Sequence, residues 1–213
     1  MKLKYTLLII TLILFSACKA KDYVPQEGDL IFKVAAYSDF SKAITDATAT
    51  QSSIQFDHVA IVALEKGKPY IIEASSKKGV VRTKWEDFIS SATSINGKPG
   101  LVVMRIHKET NLSLSEAVAT ANTFIGEEYD WSFYPDNGKM YCSELVYESF
   151  RKTDGSHLFT TQPMNFRDTK GNMPIFWIDL FKKLGKPIPE GIPGTNPNEM
   201  SKDPALEEIY SFF

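Results

Sequence analysis

The stretch "DHVAIVALEKGKPYIIEASSKKGVVRTKW", residues 57–85, decides the fold of this chain. It contains three runs rich in β-branched residues: His58 to Leu64, Tyr70 to Ala74, and a third that follows Gly79. Short segments containing glycine separate the runs, as expected for strands joined by turns. The stretch therefore predicts an antiparallel meander of three strands.

The segments on either side of the meander predict further strands and several helices. "GDLIFKVA" and "GLVVMRIH" have the composition of strands, and "SDFSKAITDATA", "WEDFISSA" and "PIFWIDLFKKLG" have that of helices. The clearest helix is in "NLSLSEAVATANTFIGEEYDW", where Ser113 and Glu116 form a capping box and Gly126 ends the helix. Its apolar stripe is predicted to comprise Leu114, Val118, Ala121 and Ile125. Strands in a meander with helices before and after them indicate an α+β fold.

The composition is that of an ordinary globular protein. Of the 213 residues, 43% are hydrophobic and 23% are charged, which is enough for one domain with a substantial core. The 24 basic and 26 acidic residues are interspersed and give a net charge of −2. Because there is no basic run, the sequence gives no indication of a nucleic-acid partner.

The first residues, "MKLKYTLLIITLILFSACKA", have the pattern of an export signal. Two lysines precede an uncharged apolar run, and small residues then precede Cys18. The run is shorter than the roughly 20 residues that span a bilayer comfortably. We predict a signal peptide over residues 1–17, a tether over 18–27 and a single domain over 28–213.

"LFSAC" resembles the lipobox of bacterial lipoproteins, in which the cysteine is lipidated and becomes the new N-terminus. The resemblance implies lipidation of Cys18 and an exported protein anchored to a membrane of the bacterial cell envelope. An uncleaved anchor and an ordinary signal peptide are the alternatives. If Cys18 carries lipid, Cys142 is the one cysteine left in the mature chain, and an intramolecular disulfide is excluded.

Cys142 lies where the amphipathic helix "CSELVYESF" is predicted to begin. It shares one helical face with Leu145, Val146, Ser149 and Phe150, so its side chain points toward whatever the helix packs on. The unpaired N–H groups and the dipole at a helix N-terminus favour a thiolate and can hold an oxyanion. A thiol in this position is either a nucleophile or a small buried hydrophobic residue.

A thiol nucleophile needs a base, and the sequence offers His58, His107 and His157. His58 opens a strand that is otherwise apolar, and a polar residue at the end of a buried strand is typical of active sites as well as of hydrogen-bonded core histidines. Glu73 lies in the neighbouring predicted strand and can orient the imidazole, although a structural salt bridge is the alternative.

Four motifs, "GDLIF", "DHVAIV", "YIIEAS" and "YCSELVYESF", follow one another between Gly28 and Phe150. Together they resemble the circularly permuted branch of the NlpC/P60 superfamily, the YiiX/YebB-like cysteine hydrolases. In ordinary members the cysteine precedes the histidine, whereas here the histidine strand comes first. The resemblance implies a papain-like α+β fold, in which a small antiparallel sheet or barrel packs against the cysteine helix.

The resemblance also implies roles for individual residues. Cys142 matches the nucleophile, His58 the general base and acid, and Glu73 the residue that orients the histidine. The backbone N–H of Cys142 would contribute to an oxyanion hole. Tyr129 and Asp130, in "EEYDW", match a segment near the cleft and are predicted to lie close to substrate.

The sequence therefore predicts a lipid-anchored thiol hydrolase that cleaves an amide bond through an acyl-enzyme, without a cofactor. Peptidoglycan peptide is the substrate expected from the superfamily. A lipid-like amide or ester, handled by a lipid-directed amidase or acyltransferase, is the alternative, and a non-catalytic binding module is a third hypothesis. No metal is predicted, because neither HExxH nor CxxC occurs. The Pro/Gly-rich segment from Gly185 is predicted to cover one side of the cleft.

Overall fold

A computed structural model of the chain describes residues 23–213. The predicted signal peptide and Cys18 lie outside these residues. The elements, in chain order, are β1 (Leu30–Val34), α1 (Asp39–Thr48), β2 (Phe56–Glu65), β3 (Lys68–Ser75), β4 (Gly79–Lys84), α2 (Trp85–Ser90), β5 (Ser94–Ile95), β6 (Lys98–Pro99), β7 (Leu101–Ile106), α3 (Leu114–Thr123), α4 (Cys142–Ser149), β8 (Gln162–Pro163), α5 (Ile175–Leu184), β9 (Pro193–Gly194), α6 (Pro197–Met200) and β10 (Leu206–Ser211).

A six-stranded sheet in the order β10-β7-β1-β2-β3-β4 is the centre of the fold, and the pairs along it are antiparallel. The predicted meander is confirmed, since β2 pairs with β3 and β3 with β4. The sequence left open whether the sheet closes into a barrel. Within residues 23–213 it stays open, with β10 and β4 at its edges.

Apolar side chains cover both faces of the sheet. The larger core lies between the sheet and the helices, and its fully buried side chains include Phe32, Ile61, Ile72 and Leu145. A smaller cluster, which includes Phe88 of α2, covers the other face. These contacts make an α+β fold, as the sequence predicted, and they hold α4 against β2 and β3.

The helix predicted after residue 111 begins as expected but ends early. The Ser113 hydroxyl accepts a hydrogen bond from the Glu116 N–H at 3.3 Å and caps α3. The helix ends at Thr123, and Ile125 is 41% exposed. The prediction that Ile125 belongs to the buried stripe was therefore wrong, because the chain leaves the helix one turn before Gly126.

The two ends of the described fold lie side by side. The ring of Tyr23 stacks on that of Tyr210 in β10, with 5.6 Å between the centroids. Its hydroxyl donates to Asp29, whose carboxylate is 1% exposed and also binds Arg105 of β7 through Nε at 2.6 Å and an N–H of the guanidinium at 2.8 Å. Burial, together with this hydrogen bond, raises the pKa of Tyr23 well above its ordinary value.

None of the helices in residues 23–213 is both long and apolar enough to cross a membrane.

Candidate active site

Cys142 is the first residue of α4, and its side chain is 4% exposed. Tyr141 is the N-cap: its C=O accepts from the Leu145 N–H at 3.0 Å, and its N–H donates to the Glu144 carboxyl at 3.3 Å. Because the first N–H groups of a helix have no partner within the helix, α4 directs both free donors and the positive end of its dipole toward the thiol. The predicted helical face is buried in the core.

His58 lies next to a bulge in β2. His58 is opposite Lys33 of β1 and Phe56 is opposite Val34, so Asp57 is an extra residue in the pairing. The bulge explains why Phe56 and Val59, three positions apart, both reach the larger core. A bulge changes the direction in which neighbouring side chains point, and His58 is the residue that directly follows this bulge.

Glu73 of β3 binds the imidazole of His58. The distance from His58 Nε2 to Glu73 Oε2 is 2.8 Å, and Thr83 of β4 donates its hydroxyl to Glu73 Oε1 at 2.6 Å. Since a carboxylate only accepts hydrogen bonds, Nε2 carries the proton and Nδ1 is the ring nitrogen available to Cys142. Both oxygens of Glu73 are thus engaged, which fixes the ring in one orientation.

Hydrogen bonding makes the imidazole unusually basic. Burial alone would lower the pKa of His58, but its hydrogen bonds to the side chains of Cys142 and Glu73 raise that pKa to about 9. Burial likewise opposes ionisation of Glu73, yet the hydrogen bonds from His58 and Thr83 bring the pKa of Glu73 down to about 2. The structure therefore pairs Glu73 with His58 and places the thiol of Cys142 near the same imidazole.

Lys33 and Thr83 belong to this site, and the sequence interpretation missed both. Lys33 Nζ donates to Ser91 Oγ at 2.8 Å and lies 4.0 Å from the centre of the Phe88 ring. Burial lowers the pKa of Lys33, whereas its positive charge helps to lower that of Glu73. A lysine inside the apolar strand "LIFKV" was the signal that could have pointed to it.

The two residues predicted to lie near substrate differ in position. Tyr129 lines a cavity together with Cys142 and also lines the open cleft that contains His58. Asp130 is fully buried, and its Oδ1 accepts from the Ser132 N–H at 2.8 Å and the Ser132 hydroxyl at 2.7 Å. Asp130 is absent from the lining of both spaces and shapes the turn behind Tyr129.

The Pro/Gly-rich segment after Gly185 reaches the start of α4. The Thr195 N–H donates to the Tyr141 hydroxyl at 3.1 Å, and the Thr195 and Ser143 hydroxyls are 3.0 Å apart. Residues 194–197 line the cavity beside Cys142. This segment therefore forms one wall of the cavity.

The other two histidines lie elsewhere. The His107 N–H donates to the Ala205 C=O just beyond β7, and the ring of His157 stacks on Tyr147 at 3.8 Å. His58 is thus the histidine that lies beside the thiol. In residues 23–213, no group of three or more histidine, cysteine, aspartate or glutamate side chains is placed to hold a metal ion.

The chain is similar to known proteins over nearly its whole length. The model of a family described as permuted papain-like amidase enzymes, YaeF/YiiX, C92 family, matches residues 24–210. The uncharacterized protein YiiX of Escherichia coli strain K12 is 28% identical over 209 residues, covering 97% of this chain and 96% of that protein. A crystal structure titled as the metalloprotein yiiX from Escherichia coli O157:H7 has a TM-score of 0.70 at 28% identity, covering 89% of this chain and 98% of that one.

Proposed function

Because the chain belongs to the family of permuted papain-like amidase enzymes of the YaeF/YiiX type, we propose that it cleaves an amide bond with Cys142 as nucleophile. One observation carries the proposal: the buried carboxylate of Glu73 binds the His58 ring at 2.8 Å, and the thiol at the start of α4 lies close enough to the same ring to raise its pKa. A nucleophile, a base and a residue that orients the base are the parts that thiol catalysis needs.

The proposed reaction has two stages. The proton of Cys142 passes to His58, whose raised pKa favours the imidazolium at neutral pH, and the thiolate attacks the amide carbonyl. The tetrahedral intermediate collapses when His58 donates that proton to the leaving nitrogen, so the C–N bond breaks and a thioester remains on Cys142. Water, deprotonated by His58, then releases the acyl group as a carboxylic acid and restores the thiol.

The start of α4 is placed to stabilise the negative charge that develops on the carbonyl oxygen of the substrate. The backbone N–H of Cys142 is among the helix donors without an intrahelical partner, so it is our candidate for the oxyanion hole. Glu73 acts on the substrate only through His58: it keeps the proton on Nε2 and stabilises the imidazolium during transfer.

We further propose that the enzyme works at the cell envelope, held there by lipid on Cys18. Peptidoglycan peptide remains the substrate predicted from the superfamily. A lipid-like amide or ester is the second candidate, and the apolar side chains of Phe133, Phe166 and Trp177 in the lining of the cavity beside Cys142 support it. The proposed steps call on the side chains of Cys142, His58 and Glu73 and on a water molecule.

Labelling and turnover test the proposed chemistry together. The purified chain is treated with iodoacetamide at neutral pH and, separately, offered muropeptides and N-acyl amides. We expect selective alkylation of Cys142 and release of an amine from one substrate class. In the variant His58→Gln we expect turnover to fall by about 100-fold or more, since general acid–base catalysis contributes about 10²–10⁴-fold.

His157→Gln is the matched control, because that histidine stacks on Tyr147 away from the thiol. Equal losses in the two histidine variants would contradict the assigned base. A thiol that resists alkylation, in a protein that binds either substrate class without cleaving it, would favour the non-catalytic module instead.

A further inference from the structure

The first described residues of the chain pack on the face of the sheet that α2 covers. The ring of Tyr23 lies against those of Trp85, Tyr210 and Phe212, with 5.8, 5.6 and 6.2 Å between the centroids, and packs against the smaller apolar cluster. We call these four side chains the N-terminal aromatic cluster. All four are partly exposed, and the neighbouring Val24 is 68% exposed.

Hydrogen bonds fix this first segment on the domain. The Gln26 N–H donates to Asp29 Oδ2 at 2.9 Å, and the Tyr23 hydroxyl donates to the same oxygen at 2.7 Å. The guanidinium of Arg105 also donates to the Val24 C=O at 3.5 Å. Because Arg105 belongs to β7 and also binds the Asp29 carboxylate, the point at which the chain enters the domain has one position relative to the sheet.

The chain between this point and Cys18 is short. Four residues, 19–22, separate Cys18 from Tyr23. Since an extended chain covers at most about 3.6 Å per residue, the Cα atoms of these two residues lie within about 18 Å of each other. A folded domain of about 190 residues has a radius of gyration of about 16 Å and is about 40 Å across. A lipid on Cys18 therefore keeps the side of the domain that bears Tyr23 turned toward the bilayer.

We propose that the N-terminal aromatic cluster and Val24 form a surface that contacts the headgroup region of a lipid bilayer. The inference rests on the proposed anchoring through Cys18 and names the face of the domain that the anchor brings to the membrane. Tyrosine and tryptophan side chains favour the headgroup level of a bilayer, because each combines an apolar ring with a polar group. The exposed side chain of Val24 also gains from burial among lipids.

A second exposed apolar surface lies on α5, where Ile175 is 72% exposed and Ile178 is 43% exposed. This helix packs into the larger core through Trp177 and Phe181, on the opposite side of the sheet from Tyr23. The short connection to the anchor therefore favours the N-terminal aromatic cluster over α5. In the proposed orientation α4, which also packs in the larger core, lies on the side of the sheet away from the bilayer.

Charged side chains of both signs flank the N-terminal aromatic cluster. Lys84 and Glu86 lie on either side of Trp85, Glu208 lies in β10, and all three are exposed. Burial of apolar surface, rather than attraction to anionic lipids, therefore provides the proposed contact. We expect the contact to be the same at low and high salt, although the Debye length falls from about 10 Å at 0.1 M to about 3 Å at 1 M salt.

Quenching of tryptophan fluorescence by brominated lipid tests the contact. The lipidated full-length chain is reconstituted in vesicles of phosphatidylethanolamine and phosphatidylglycerol, with or without bromine on the upper part of the acyl chains. One of the three tryptophans belongs to the cluster, so we expect bromine to lower the emission by up to about a third. Trp85→Phe should abolish this quenching, whereas Trp131→Phe should retain it.

Val24→Asp and Ile175→Asp form a matched pair, because each replaces a largely exposed apolar side chain. A carboxylate is costly at the edge of the hydrocarbon region, so Val24→Asp should reduce the quenching of Trp85 by about half or more. Ile175→Asp should leave it unchanged. Loss of quenching in Ile175→Asp alone would mean that α5 faces the bilayer and would overturn the inference.

Flotation of the vesicles in a density gradient distinguishes the failure of this inference from the failure of the proposed anchor. The wild-type chain should float with the vesicles, and Cys18→Ser should not. A wild-type chain that floats, but in which bromine does not quench Trp85, would refute the contact surface and leave the anchor standing. A wild-type chain that carries no lipid and stays in solution would refute the anchor, and with it this inference.

Discussion

Replacing Glu73 by glutamine tests whether the charge of this carboxylate raises the pKa of His58 and so supports catalysis. Glutamine keeps the size of the side chain and can still accept from Thr83, but it removes the negative charge beside His58. In the wild-type protein the pKa of His58 is raised from 6.5 to about 9, with Cys142 and Glu73 as the causes that outweigh burial. We expect this pKa to fall toward its ordinary value in Glu73→Gln.

The size of the effect follows from the same shift. A rise from 6.5 to about 9 corresponds to roughly 3 kcal/mol of preference for the imidazolium, since one pKa unit is about 1.4 kcal/mol. Glu73 supplies only part of this, so its loss should lower kcat/KM at pH 7 by between about 10-fold and 100-fold. Because His58 must be protonated to donate to the leaving group, activity should fall as pH rises through about 9 in the wild-type protein and at lower pH in the variant.

The pH dependence of the free energy of unfolding tests the same pKa shift without an activity assay. A folded pKa above the unfolded value means that the contribution of His58 is fully present below pH 6.5 and is lost as pH rises through about 9. Urea unfolding from pH 6 to 10 should therefore show a smaller loss in Glu73→Gln than in the wild-type protein. The control is Glu65→Gln, which removes an exposed partner of Arg82 at the end of β2. An alkaline limb of kcat/KM that stays in place in Glu73→Gln would refute the reasoning.

Three further substitutions have expected outcomes. Cys142→Ala should abolish amine release and the acyl-enzyme mass while changing the urea midpoint little; residual turnover would mean another nucleophile. Asp29→Asn should lower the free energy of unfolding by about 3 kcal/mol, because a guanidinium would lose its buried carboxylate, and an unchanged urea midpoint would contradict this. Gly79→Ala places a Cβ 2.1 Å from the Glu127 carbonyl oxygen at φ +73 and should cost about 3 kcal/mol. Gly67→Ala, at φ +77 in open space, is the control and should cost only about 1 kcal/mol, with both losses measured by urea unfolding.

The meander and the cysteine helix were predictable because each depends on a local pattern. Alternating β-branched runs separated by glycine define β2, β3 and β4, and the spacing of Cys142, Leu145 and Val146 defines the buried face of α4. The closeness of His58 and Glu73 also followed from the sequence, since strands joined by a short loop containing glycine are expected to be neighbours, and the structure pairs β2 with β3.

The rest of the site depends on contacts between distant segments. The bulge at Asp57 arises from the pairing of β2 with β1 and leaves no mark in the local pattern. Thr83 and Lys33 contribute to the environment of Glu73 only because β4 and β1 lie on either side of the β2–β3 hairpin. Strands of open sheets and of closed barrels have similar sequence patterns. The periodicity of the sequence therefore could not show whether the two edge strands, β10 and β4, pair with each other.

The stacking of Tyr23 on Tyr210 bears on why the histidine precedes the cysteine in this chain. Since the two ends adjoin, a short linker could connect them, and a break in the exposed loop between β7 and α3 would create new termini. In such a rearranged gene product Cys142 would come ahead of His58, with each strand still beside the same neighbours. The order of the active residues along the polypeptide is thus independent of their arrangement in space, and the proposed catalysis depends on the arrangement in space.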